Sequence, residues 1–154
     1  MPLPTLTPAF AASAIAFAAL FASRGACAEL GGAMPSRADA SASAPRAMLN
    51  GALRVRTFTD AGNTTITEYA ANTGQIIGYA WQGPTMPDLR ALLGKYADSY
   101  RAGAAAAAAD GNLHVSRVAR PDVIVESGGP MRGYAGRAWL PTALPPGVTA
   151  DDFR

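Results

Sequence analysis

Residues 75–100 read QIIGYAWQGPTMPDLRALLGKYADSY, and two periodicities meet there without overlap. An apolar, aromatic run over residues 76–81 is broken by Gly83 and Pro84. Leu89, Leu92, Leu93, Tyr96 and Tyr100 then recur at steps of three and four, which draws one apolar stripe along a helix. Thr85, followed three residues on by Asp88, has the spacing of a capping box. Pro87 falls in the first turn, where a missing N–H costs nothing. Arg90, Lys95, Asp98 and Arg101 lie largely off the stripe, towards water. Gly94 weakens the middle of the helix by ~1 kcal/mol relative to alanine and leaves room for another element to approach. The stretch is a central strand feeding the helix that covers its sheet.

The strands of that sheet are visible on either side. Residues 52–59 alternate, with Leu53, Val55 and Thr57 on one face and Arg54, Arg56 and Phe58 on the other. Residues 64–71, with three threonines and a tyrosine, form a second strand. Residues 75–82 form the third, with Ile77, Tyr79 and Trp81 on one face and Ile76, Gly78 and Ala80 on the other. The smaller set suits a face pressed closely against the helix. Beyond the helix, residues 113–118, 122–127 and 134–140 give three more strands. Residues 104–109 are all alanine, and they favour a frayed extension of the helix. Pro141, Pro145 and Pro146 exclude regular structure from the tail, which runs over the surface and pins Leu144 and Val148 into the edge of the core. The expected fold class is α+β: an antiparallel sheet of about six strands in the order βββ-α-βββ, with one amphipathic helix packed on one face. Whether the two strand groups join in one sheet is left open.

The N-terminal region has a different character. Residues 9–22 form an apolar core of small and large hydrophobes, and Ala26-Cys27-Ala28 resembles a signal-peptidase site. Residues 1–28 are therefore expected to be an export signal cleaved after Ala28, although the preceding residues carry no Lys or Arg. The apolar run is too short and too rich in alanine for a comfortable membrane anchor. Cys27 is the only cysteine, and Arg24 stands where a lipoprotein signal needs Leu or a similar residue, so lipid attachment is disfavoured. Cleavage leaves a chain of ~126 residues without a thiol, enough for one core. Residues 29–50, dominated by Ala, Ser, Pro and Gly, are expected to be a flexible linker, with Leu30-Gly31-Gly32 able to dock. Residues 51–154 form a single domain.

The words GYAWQGPTMPDLRALLGKY, VIVESGGPMRG and GRAWLPTALPPGVTADDF, with a Leu-Gly-Gly just after the signal, span nearly the whole mature chain. In them the sequence resembles a family of small exported proteobacterial proteins classed as a domain of unknown function. The resemblance implies a secreted or periplasmic protein. It carries over no activity, cofactor or catalytic residue.

The residues themselves exclude several chemistries. Formal net charge is +2, and the basic residues are scattered singly, which argues against nucleic-acid binding. His114 is the only histidine, and no recognisable ligand spacing surrounds it, so no metal or cofactor site is expected. Ser116 and Ser127 lack a nucleophile elbow, and Ser127-Gly128-Gly129-Pro130 lacks the Lys and helix start of a phosphate loop. Asp122 and Glu126 fall on one face of a strand, where two surface acids are far commoner than a glycosidase pair. Arg54 and Arg56 share a face with Phe58, and Arg137 shares one with Trp139. Arg beside an aromatic marks a mixed face, either a binding surface or cross-strand packing with cation–π stacking.

The leading expectation is thus a non-enzymatic exported binding or assembly module of the bacterial envelope. Its tentative binding face is Arg54, Arg56, Phe58, Arg137 and Trp139, and its partner an envelope protein or extracellular ligand. One alternative is a small hydrolase working through Asp/Glu or His114. The other is a self-associating envelope protein that pairs through a strand edge. A cleft bringing His114 or Glu126 within reach of another polar side chain would favour the hydrolase, and an open face without a pocket would favour binding.

Overall fold

The computed structural model describes residues 28–36, 42–109 and 117–154. Of the segment expected to be an export signal, residues 1–28, all but Ala28 lie outside the described residues, as do His114 and Ser116. Among those described, seven strands form one antiparallel sheet in the order β1-β2-β3-β4-β7-β6-β5. The strands are β1 (Arg46–Met48), β2 (Leu53–Thr59), β3 (Thr65–Ala71), β4 (Ile76–Gly83), β5 (Arg117–Ala119), β6 (Ile124–Gly128) and β7 (Tyr134–Trp139). The class is α+β, with one strand more than expected. β4 joins the two strand groups by pairing with β7 from Gly78↔Trp139 to Gly83↔Tyr134. It is the most buried strand because neighbours flank it on both sides and both its faces are covered.

A β-bulge decides the faces of the first two side chains of β4. Tyr69 opposes Gly78 but Ala70 opposes Ile76, so Ile77 is the extra residue. One extra residue flips the alternation that follows it. Ile76 therefore packs with Tyr79 and Trp81 beneath the helix, while Ile77 joins Ala80 on the opposite side. The small face of β4, expected under the helix, lies under the C-terminal tail instead.

The helix starts later than its capping-box spacing suggests. Asp88, not Thr85, is the N-cap of α1 (Leu89–Leu93), and its Oδ1 accepts from the amides of Arg90 and Ala91 at 3.0 and 3.1 Å. Pro87 disfavours helical backbone at Met86, so no helix can begin before it. Thr85 is drawn to the β2–β3 turn, where its hydroxyl donates to the Gly62 carbonyl at 3.0 Å. At Gly94 (φ 53°, ψ −122°) the helix breaks, passes through a 3₁₀ turn over Gly94–Tyr96, and resumes as α2 (Ala97–Ala109). A side chain at Gly94 would collide with that of Glu29, so the break sits where the N-terminal segment presses on the helix. The alanine run belongs to α2. The whole stripe of Leu89, Leu92, Leu93, Tyr96 and Tyr100 packs on the core.

The described parts of the segment expected to be a linker, residues 29–36 and 42–50, are built into the fold. Leu30 is buried among the helix residues, and its amide donates to the Leu92 carbonyl at 2.8 Å. Gly31, Ile76, Met34 and Gly74 exchange further backbone hydrogen bonds that tie residues 31–34 to the start of β4. Farther on, β1 pairs with β2. A segment poor in apolar residues docks when its backbone groups find partners and one large side chain finds a pocket.

The tail covers part of the other sheet face. Val148 and Phe153 are buried there with Leu53, Val55, Tyr69, Ile77 and Trp139, and Leu144 packs against them. The Phe153 ring meets Tyr69 edge-on at 4.9 Å and lies over Gly78, where even a Cβ would come within 3.1 Å of it. The Tyr69 hydroxyl donates to the Arg154 carbonyl at 2.5 Å. Burial raises the Tyr69 phenol above its ordinary pKa of 10.0, outweighing the hydrogen bond to Arg154. A raised pKa in the folded state gives stability that is full below pH 10 and is lost as pH rises through the folded value. Urea midpoints of the wild type should therefore fall between pH 9 and 11 by more than those of Tyr69→Phe, which has no phenol to ionise. Parallel declines would contradict this.

Candidate functional site

The tail stops at Phe153 and Arg154, and beyond it the sheet face is uncovered. β3 contributes Thr65 and Thr67, and β4 contributes Ala80 and Gln82. The register sets these side by side, Thr65 opposite Gln82 and Thr67 opposite Ala80. β7 adds Ala135 and Arg137 next to Gln82 and Ala80. Glu126 of β6 lies opposite Arg137, and Arg117 of β5 lies opposite Glu126. Twisted strands with short side chains leave a trough, and Phe153 and Arg154 wall it at one side. The resulting groove has a volume of 840 Å³.

The charged groups of the groove form one chain. The Arg137 Nε donates to Glu126 Oε2 at 2.7 Å, and its Nη1 donates to the Ala150 carbonyl at 2.6 Å. Arg117 Nε lies 3.5 Å from the other oxygen of Glu126. Arg154 Nε donates to the Asp151 carbonyl at 2.9 Å. The hydrogen bond to Glu126 raises the pKa of Arg137 further above its ordinary value, so this guanidinium is charged throughout the working range of pH. Arg137 is thus fixed by the tail and by β6 at once, and it stacks 5.4 Å from the centroid of Trp139.

The five residues of the expected binding face divide between the two sides of the sheet. Arg54, Arg56 and Phe58 share the helix side, where Arg54 is exposed and Arg56 and Phe58 are buried. Arg56 lies 5.9 Å from the Phe58 ring centroid and forms an ion pair with Glu68 at 2.6 Å. Both partners are closed to solvent, and the Tyr79 hydroxyl, 3.3 Å from Glu68, also donates to the Ala28 carbonyl. That cluster joins β2, β3 and β4 and offers nothing to a ligand. Arg137 and Trp139 lie on the tail side. Trp139 is buried beneath Phe153, and Arg137 alone of the five lines the groove.

Of the two carboxylates considered for hydrolysis, Asp122 precedes β6 and accepts from Ser99 of α2 at 2.7 Å. Glu126 opens into the groove, where both its oxygens face guanidinium groups. No second carboxylate lines the groove among the described residues. No cluster of three metal-ligating side chains occurs among them either, and none of their helices is long and apolar enough to cross a membrane. Sequence reasoning did not pick out Thr65, Thr67, Gln82, Ala135, Arg117 or Arg154. The available signal was the run of residues either short or polar on alternate positions of β3, β4 and β7.

No curated protein and no solved structure matches the chain. A family model does match, over residues 26–153, and the chain belongs to that family, described as Protein of unknown function (DUF2844).

Proposed function

We propose that this chain is a non-enzymatic binding module of the bacterial envelope, exported to the periplasm or beyond, and that it takes its ligand into the groove beside the tail. The groove carries this reading. It is a concave, partly polar site whose charged residues are fixed by one another and by the tail, as a preformed binding site requires. Export rests on the apolar N-terminal stretch and its Ala26-Cys27-Ala28 site, and the start of the family match at residue 26 is in keeping with a removable leader.

The hydrolase reading has one observation in its favour: Glu126 stands in a cleft within hydrogen-bond reach of Arg137. Its oxygens are already engaged by arginines, and a two-carboxylate mechanism lacks its partner among the lining residues. Self-association through strand edges has weaker support, since the edge strand β1 has three residues and offers a short template.

Ala135 is exposed on the groove floor, so Ala135→Trp should fill the groove without disturbing the core. Thermal shift against a panel of envelope glycans and peptides should show a ligand that stabilises the wild type and leaves Ala135→Trp unchanged. The ligand should be recovered chemically intact. Turnover of the ligand, abolished by Glu126→Gln, would replace this reading with the hydrolase.

A further inference from the structure

We infer that the groove selects an acidic oligosaccharide, a sugar chain bearing carboxylates. The inference rests on the groove being a binding site and names what it binds. The whole chain holds 13 Lys and Arg against 11 Asp and Glu, an excess of two cations. The groove lining holds three arginines, Arg117, Arg137 and Arg154, against the single lining carboxylate of Glu126, and with Asp151 of the tail 3.4 Å from Arg137 the cations still outnumber the anions around this concavity. A cleft in which one sign of charge predominates focuses the field and draws in the opposite charge.

The arginines are also placed to donate. Arg137 spends Nε and Nη1 on Glu126 and the tail, and its Nη2 has no partner among the described residues. Arg154 commits only Nε, to the Asp151 carbonyl. Arg117 touches Glu126 through Nε alone, at a loose 3.5 Å, and its side chain is 56% exposed. Guanidinium edges of this kind match carboxylate geometry. The rest of the floor is uncharged and polar, with the Thr65 and Thr67 hydroxyls and the Gln82 amide in adjacent positions. Hydroxyls and amides both donate and accept, which suits sugar hydroxyls. The volume of 840 Å³ lies near the upper end of the roughly 300–1,000 Å³ range of ligand sites, which favours an oligomer over a single ring.

The test is isothermal titration of the full mature chain with trigalacturonate, neutral galactotriose and hexaglutamate. Trigalacturonate should bind, and the neutral sugar should bind at least tenfold more weakly. Arg117→Gln and Arg154→Gln sit at the exposed rim and leave the core alone. Each should weaken trigalacturonate about three- to tenfold, in line with single exposed or half-exposed charge contacts. Raising salt from about 50 to about 500 mM should weaken it further, since screening shortens the reach of the field. Equal affinity for the neutral sugar would overturn the charge selection while leaving a binding groove. Tighter binding of hexaglutamate would overturn the sugar assignment. If neither sugar binds the wild type, the inference fails; if the groove-filled Ala135→Trp variant matches the wild type towards every ligand of the wider panel, the binding reading fails with it.

Discussion

Glu68→Ala should lower stability by about 3–5 kcal/mol, because it strands a buried guanidinium without its counter-charge. Arg56 is 2% exposed, and Glu68 is fully enclosed. With the carboxylate gone, Arg56 loses both bonds to Oε2. Its Nη1 already lacks a partner among the described residues. The pair itself need not be strongly stabilising, since two ions were taken out of water to form it. The double variant Arg56→Met with Glu68→Leu should therefore recover most of the loss. Urea denaturation of the three proteins checks this. A single-variant loss below about 1 kcal/mol would mean that water reaches the guanidinium, against the burial described above.

Phe153→Ala should cost a similar ~3–5 kcal/mol, the usual range for emptying a buried aromatic site. The ring fills the space over Gly78 between Tyr69 and Trp139. No neighbouring side chain of the strand below can collapse into the gap, because Gly78 has none. The effect should reach function too. Phe153 and Arg154 wall the groove, and the Ala150 carbonyl anchors Arg137, so a loosened tail should weaken ligand binding. Denaturation and ligand titration of the same variant check both halves. Full binding with reduced stability would separate the tail from the site.

Local patterns made much of the architecture legible. The alternation of Leu53 to Phe58 and the stripe from Leu89 to Tyr100 follow from periods of two and 3.6, and each appears in the structure on the face assigned to it. Other features depend on pairings that no local pattern reports. The bulge at Ile77 exchanged the faces of Ile76 and Ile77, and its cause lies in how β3 meets that strand. Leu30 looked like part of a linker because its neighbours are small, and its burial depends on Leu92 and Ile76, which are distant in sequence. The helix start was misplaced for a nearer reason. Thr85 and Asp88 both fit a cap, and the restriction imposed by Pro87 on Met86 settles the choice for Asp88.

The groove was the least legible part. Its floor combines short side chains from β3, β4 and β7, each unremarkable in its own strand. It exists because the tail leaves part of the sheet face uncovered. Arg137 drew notice through Trp139, and the structure keeps that stacking. Its partnership with Glu126, and the approach of Arg117 and Arg154, required the strand order β7-β6-β5 and the course of the tail.

Amide chemical-shift mapping tests the central claim most directly. A ligand selected from the glycan and peptide panel is titrated into the mature chain. The largest shifts should fall on Thr65, Thr67, Gln82, Ala135 and Arg137, with the helix side of the sheet unmoved and the ligand signals unchanged over time. Shifts centred on Arg54 and the helix side, or conversion of the ligand during the titration, would contradict the assignment of this groove as a binding site.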